Sequence, residues 1–198
     1  MAIYRSVLRL NAFCVLLVIL LAILTKIFNW SVSDLFGFPF FCPQPTVAIL
    51  TRTFQLLCAV PVIVCTFSYG LLRTLKPRHP ETRFLLVSAL LTGAFLVNEI
   101  YRIHLYFGEL GIPKFVFGLV YALALSGYAW VFRQQIQTTP YRILLAGLGL
   151  LFFAIFVDSL QIKLKILASL LEGIPKLFSG INIAIYYWSI SKEPLTKL

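Results

Sequence analysis

Charge is what this chain has least of. Only 12% of its 198 residues are charged and only 7 are acidic, whereas an ordinary soluble domain carries about 25% charge. So few charges do not make the polar coat that a water-exposed domain needs, and a soluble globule is excluded. Histidine is nearly absent, His79 and His104 being the only two, and cysteine occurs four times. These side chains show none of the close spacings of a metal-ligand set, so neither metal nor cofactor is expected. Cys14, Cys58 and Cys65 fall within apolar runs and Cys42 alone within a loop, which predicts no intramolecular disulfide.

The chain is rich in apolar residues instead, at 60% hydrophobic and 15% aromatic. A bilayer core about 30 Å thick takes about 20 apolar residues per helix. Six runs of suitable length occur, from Phe13 to Phe28, Thr46 to Leu72, Phe84 to Phe107, Pro113 to Phe132, Ile143 to Leu164 and Ile174 to Ile190. The expected fold is therefore an all-α polytopic integral membrane protein, a single transmembrane domain over residues 1–198 with the lipid bilayer as its main partner. Arg5 and Arg9 ahead of the first run would also open a secretory signal. The nearest small-x-small triplet, Ser31-Val32-Ser33, lies beyond the bulky segment from Thr25 to Trp30, so that run is read as an uncleaved helix.

A net charge of +10 would point to nucleic acid in a soluble protein. In a membrane protein it points first to basic cytoplasmic loops, and no nucleic-acid partner is expected. Six helices place both termini on one side. Ten cations lie there: Arg5, Arg9, Arg73, Lys76, Arg78, Arg83, Arg133, Arg142, Lys192 and Lys197. The opposite side has five, namely Lys26, Arg52, Lys114, Lys163 and Lys165, which predicts that both termini are cytoplasmic. Tyr128, Trp130, Tyr186, Tyr187 and Trp188 fall where helices would leave the inner leaflet and read as an aromatic belt.

The chain also echoes itself. Gly111-Ile112-Pro113-Lys114 recurs as Gly173-Ile174-Pro175-Lys176 at an offset of 62, and Arg83/Arg142 and Glu99/Asp158 are both 59 apart. This predicts that hairpins 83–133 and 142–192 are parallel internal repeats, with Pro113 and Pro175 each in a first helical turn and Glu172 just outside its helix.

Ionisable residues at membrane depth are costly and mark functional candidates. Asn98, Glu99 and Arg102 lie toward the end of the third run, Asp158 toward the end of the fifth, and Glu172 and Lys176 at the start of the sixth. Connectivity carries all of them toward the extracytoplasmic leaflet. On one continuous helix Asn98, Glu99 and Arg102 share a face, so Glu99 and Arg102 can pair. Glu172, Lys176, Ser179, Asn182, Tyr186 and Ser189 form a polar stripe at helical spacing, which implies a protein- or water-facing surface. Asp158 has no basic neighbour one turn away, leaving Arg102, Lys176 or Arg52 as candidate partners; His104, Gln161 and Ser179 complete the candidate set.

Two readings of this cluster stay open: a site that binds or passes a small polar or charged solute, and a structural clamp in an assembly subunit with a membrane-protein partner. An intramembrane enzyme ranks third, because His104 has no Ser or carboxylate at helical spacing on its own face and no catalytic residue can be assigned. The segment from Asn29 to Thr46, with Trp30, Phe36, Phe38, Phe40 and Phe41, reads as an interfacial anchor or a lid. Pro61 within the second run predicts a kink.

Overall fold

The computed structural model describes residues 2–27, 48–75, 80–109, 111, 114–159 and 165–196. All regular structure among them is helical: α1 (Ala2–Ile27), α2 (Ile49–Leu75), α3 (Pro80–Tyr101), α4 (Ile103–Glu109), α5 (Lys114–Val131), α6 (Arg133–Thr138), α7 (Tyr141–Ser159) and α8 (Lys165–Thr196). Four helices are long and apolar enough to cross a membrane, over Tyr4–Thr25, Ile49–Leu75, Glu81–Tyr101 and Tyr141–Asp158. The apolar part of α5, Val116–Val131, is shorter, and α8 falls outside that set of four. The aromatic segment 29–46, with Cys42, and the basic residues Lys76, Arg78 and His79 lie outside the described residues, as do Gln161 and Lys163.

Several helix bounds differ from the sequence expectation, each for a local reason. α1 starts at Ala2 because residues 2–12 contain neither Gly nor Pro, and the long stems of the exposed Arg5 and Arg9 are compatible with a helical apolar surface. The third run is not one helix. α3 stops at Tyr101 and Arg102 takes a left-handed backbone, φ +50°, before α4 begins. That conformation costs a non-glycine residue about 1–2 kcal/mol, and apolar periodicity carries no sign of it. Similarly, Phe132 interrupts the helix after α5 with φ −105° and ψ 21°, and α6 follows where a loop was expected.

The largest correction concerns α8. It runs unbroken from Lys165 through Pro175, so Glu172 is helical and Pro175 occupies no first turn. Pro175 lacks an N–H, which leaves the carbonyl of Leu171 without its usual helical donor; the helix tolerates this. The two Gly-Ile-Pro-Lys segments consequently differ in backbone conformation. Gly111 sits in a turn with φ +81°, whereas Gly173 lies within α8.

The chain divides into two compact units, Met1–Phe54 with Ala146–Asn182, and Gln55–Leu145 with Ile183–Leu198. In the first, Val7, Val18, Leu50, Phe54, Leu151, Ala154, Leu177 and Ile181 are buried, while Leu8, Phe13 and Leu16 of α1 are more than half exposed. In the second, Phe84 of α3 stacks on Tyr128 of α5 at 5.7 Å between ring centroids and meets Phe132 edge-on at 5.4 Å. Pro61, Cys65, Leu72 and Leu85 are fully buried in that unit.

Candidate functional site

In the first unit the candidate residues gather on α8. Residues three and four apart share a helix face, which sets Glu172, Lys176, Ser179 and Asn182 in one line. The Lys176 ammonium lies 3.5 Å from Glu172 Oε1, one turn back, and 5.7 Å from the ring centroid of Phe54 on α2. One turn further on, Ser179 is fully buried and its Oγ has no hydrogen-bond partner among the described residues. Asn182 comes next. Asn11 of α1 donates to Asn182 Oδ1 at 3.2 Å, Asn182 Nδ2 reaches Asn11 Oδ1 at 3.5 Å, and the same Nδ2 donates to the Phe178 carbonyl at 2.7 Å. Arg52 lies exposed in the first turn of α2 and Asp158 half-buried near the end of α7, and neither lacks an interaction.

The polar stripe on α8 faces protein. Ser179, Asn182 and Tyr186 are all buried, while Glu172 and Lys176 remain half-buried. Lys176 therefore has a carboxylate and an aromatic ring beside it.

In the second unit Asn98 and Glu99 are buried in the last turns of α3, and Asn98 Oδ1 has no hydrogen-bond partner among the described residues. Gln55 Nε2 donates to the Glu99 carbonyl at 3.4 Å. Tyr121 of α5 donates to the Ala94 carbonyl at 3.2 Å and packs edge-on against Phe95. Arg102 falls outside the helix, so the helical spacing that was to align it with Glu99 does not hold there. His104 belongs to α4.

A family model matches residues 12–190. The chain belongs to DUF8692, a domain of unknown function. The DUF8692 match takes in every candidate position from Arg52 to Asn182 and ends just before Ser191, leaving Asn11 immediately outside it. Neither the curated proteins nor the solved structures give a match to this DUF8692 chain.

Sequence reasoning missed a set of buried hydroxyls in the second unit. Ser88 Oγ donates to the Phe84 carbonyl and lies 2.7 Å from the Tyr128 hydroxyl. The Tyr186 hydroxyl lies 3.0 Å from Thr139 Oγ1. Ser68 Oγ donates to the Ser191 carbonyl at 3.2 Å, and Cys65 Sγ lies 3.6 Å from Ser191 Oγ. The expected aromatic belt accordingly splits. Tyr128, Tyr186 and Tyr187 are core residues, whereas Trp130 and Trp188 face outward at 76% and 58% exposure. A tyrosine at a membrane edge and a tyrosine hydrogen-bonded inside a bundle look alike in sequence; the signal available was the presence of Ser88, Ser68 and Thr139 near apolar helix ends, where each needs a partner.

Proposed function

We propose that this chain is a polytopic membrane protein of six spans with both termini cytoplasmic, and that the buried face of α8 binds a small polar or charged solute. Support for the spans comes from the four long apolar helices, the shorter apolar α5 and the length of α8. Support for the site rests on one observation: the fully buried Ser179 hydroxyl has no partner among the described residues, although it lies one turn from Lys176 and one turn from Asn182. An unpaired buried hydroxyl costs about 1–3 kcal/mol. A solute held by the Lys176 ammonium or the Glu172 carboxylate would reach that hydroxyl and remove the cost. The chemistry is recognition, with no group assigned to bond making or breaking.

The test is Ser179→Ala in the purified, detergent-solubilised full chain. Without solute the variant is expected to fold as stably as the parent or slightly better, because the hydroxyl it loses is unpaired. The parent is expected to be stabilised by one class among amino acids, short carboxylates and polyamines, by about 2.7 kcal/mol at a hundredfold excess over Kd, and Ser179→Ala and Lys176→Gln to lose that response. Loss of the folded protein in Ser179→Ala, or a parent indifferent to all three classes, would count against the reading.

The amide pair between Asn11 and Asn182 favours a second reading, in which the polar residues lock helices together in a structural or assembly subunit. A membrane-protein partner would then co-purify in mild detergent. A chain that runs alone and monodisperse argues against it.

A further inference from the structure

One end of the second unit carries five exposed cations, spread over α2, α3, α6, α7 and α8. Arg73 lies in the last turn of α2, Arg83 in the first turns of α3, Arg133 at the start of α6, Arg142 at the start of α7 and Lys192 near the end of α8, and all five are exposed. Side-chain contacts tie these helix ends together. Phe84 of α3 packs on Phe132 beside Arg133, Ser68 of α2 reaches the Ser191 carbonyl next to Lys192, and Thr139 ahead of α7 meets Tyr186 of α8. Among the described acidic side chains of this end, Glu81 is the single one, and it is half-buried.

Along α5 the outward residues follow the order of a lipid leaflet, and α3 and α8 show parts of it. On α5 they run from Leu119, Val120 and Leu123, all more than half exposed, to Trp130, with Arg133 just beyond and its guanidinium 5.8 Å from the Trp130 ring centroid. At about 1.5 Å per residue, Trp130 stands about 10 Å beyond Leu123. On α3 the order is reversed with chain direction, Arg83 preceding the exposed Leu90, and on α8 the exposed Trp188 precedes Lys192. Tryptophan prefers the headgroup level of a bilayer, which sets the cations at the depth of lipid phosphates.

We infer that this set of cations, with the outward tryptophans, binds the headgroups of anionic phospholipids. The inference rests on the membrane-spanning part of the functional proposal and is independent of the α8 site. An acidic soluble protein would need no ordered passage from apolar side chains through tryptophan to arginine, so the leaflet pattern favours lipid. Each cation near an anionic surface is worth about five-fold in affinity.

The experiment uses the full chain in neutral detergent and follows thermal unfolding as phosphatidylglycerol or phosphatidylcholine is added. Phosphatidylglycerol is expected to raise the unfolding temperature at lower concentration than phosphatidylcholine, with an advantage that shrinks as salt is increased. Arg133→Gln combined with Arg142→Gln is expected to raise the half-maximal phosphatidylglycerol concentration about twenty-five-fold and to leave the phosphatidylcholine response unchanged. Ser179→Ala is expected to keep the full lipid response, which separates this inference from the solute site. Equal responses of the parent to the two lipids, insensitivity to salt, or an equal shift produced by inorganic phosphate alone would overturn it. Should the double variant fail to fold, the parent's lipid comparison and salt titration still decide the matter.

Discussion

The Asn11–Asn182 pair permits a quantitative test of how polar side chains hold the first unit together. Its two hydrogen bonds are unequal. The 3.2 Å bond from Asn11 to Asn182 Oδ1 is at the long end of ordinary N–H to O geometry, and the return contact at 3.5 Å contributes little. Asn182 is 5% exposed, whereas Asn11 is half-buried. Replacing Asn11 by Leu therefore strands a buried acceptor, Asn182 Oδ1, at a cost of about 1–2 kcal/mol. Replacing Asn182 by Leu strands only the half-buried Asn11 amide, which can turn toward water or headgroups, and this should cost less. Changing both removes the stranded groups together, so the double variant should be more stable than Asn11→Leu alone. A coupling of about 0.6 kcal/mol is expected, with about 1.7 kcal/mol as the upper end for polar pairs between membrane helices. Equilibrium unfolding in mixed SDS micelles of the parent, both single variants and the double variant gives the complete cycle. Strict additivity, or an Asn182→Leu variant weaker than Asn11→Leu, would refute the assignment of this pair as a helix-to-helix contact.

Two further perturbations address the second unit. At Arg102, with φ +50°, Arg102→Gly should be more stable than Arg102→Ala by about 1 kcal/mol, because both lose the side chain and only alanine bears the cost of the left-handed backbone; the same unfolding assay would refute the helix break if alanine proved equal or better. Phe84→Ala should cost about 3 kcal/mol, since Phe84 is 3% exposed and packs on two rings, whereas Trp130→Ala, at a position 76% exposed, should stay within about 0.5 kcal/mol. Similar losses for the two would contradict the division between core and outward aromatics.

Much of the fold was legible because long apolar runs are a coarse signal of long helices, and this chain carries several. Apolar length located the centres of α1, α2, α3, α5 and α7, and Arg73, Arg83, Arg133 and Arg142 marked the hairpin ends. Bounds were less legible wherever one residue's backbone decided them. Nothing in the sequence around Arg102 distinguishes a left-handed break from a continued helix, since arginine is an ordinary helix former. Pro175 misled in the opposite direction. Proline favours a first turn, and the matching Gly-Ile-Pro-Lys at residue 111 strengthened that expectation, yet α8 accepts proline in its interior, where it removes one backbone hydrogen bond from a helix of 32 residues.

The candidate site was legible as a list of residues and much less so as a set of relationships. Glu172 and Lys176 are four apart on one helix, so their pairing follows from spacing once both are helical. Spacing also aligns Ser179 and Asn182 with them, but it does not say that Asn182 is answered by Asn11, 171 positions away, or that Ser179 is answered by none of the described residues. On the proposed reading, that difference decides where a solute binds. A buried polar group with a protein partner stabilises a helix pair, and one without a partner holds binding capacity in reserve, at a standing cost to stability. Asn182 and Ser179 are chemically similar, adjacent on one face and equally sheltered. Only the second has something left to bind, which is why the solute proposal is placed on Ser179 and Lys176 and not on the larger and more conspicuous amide.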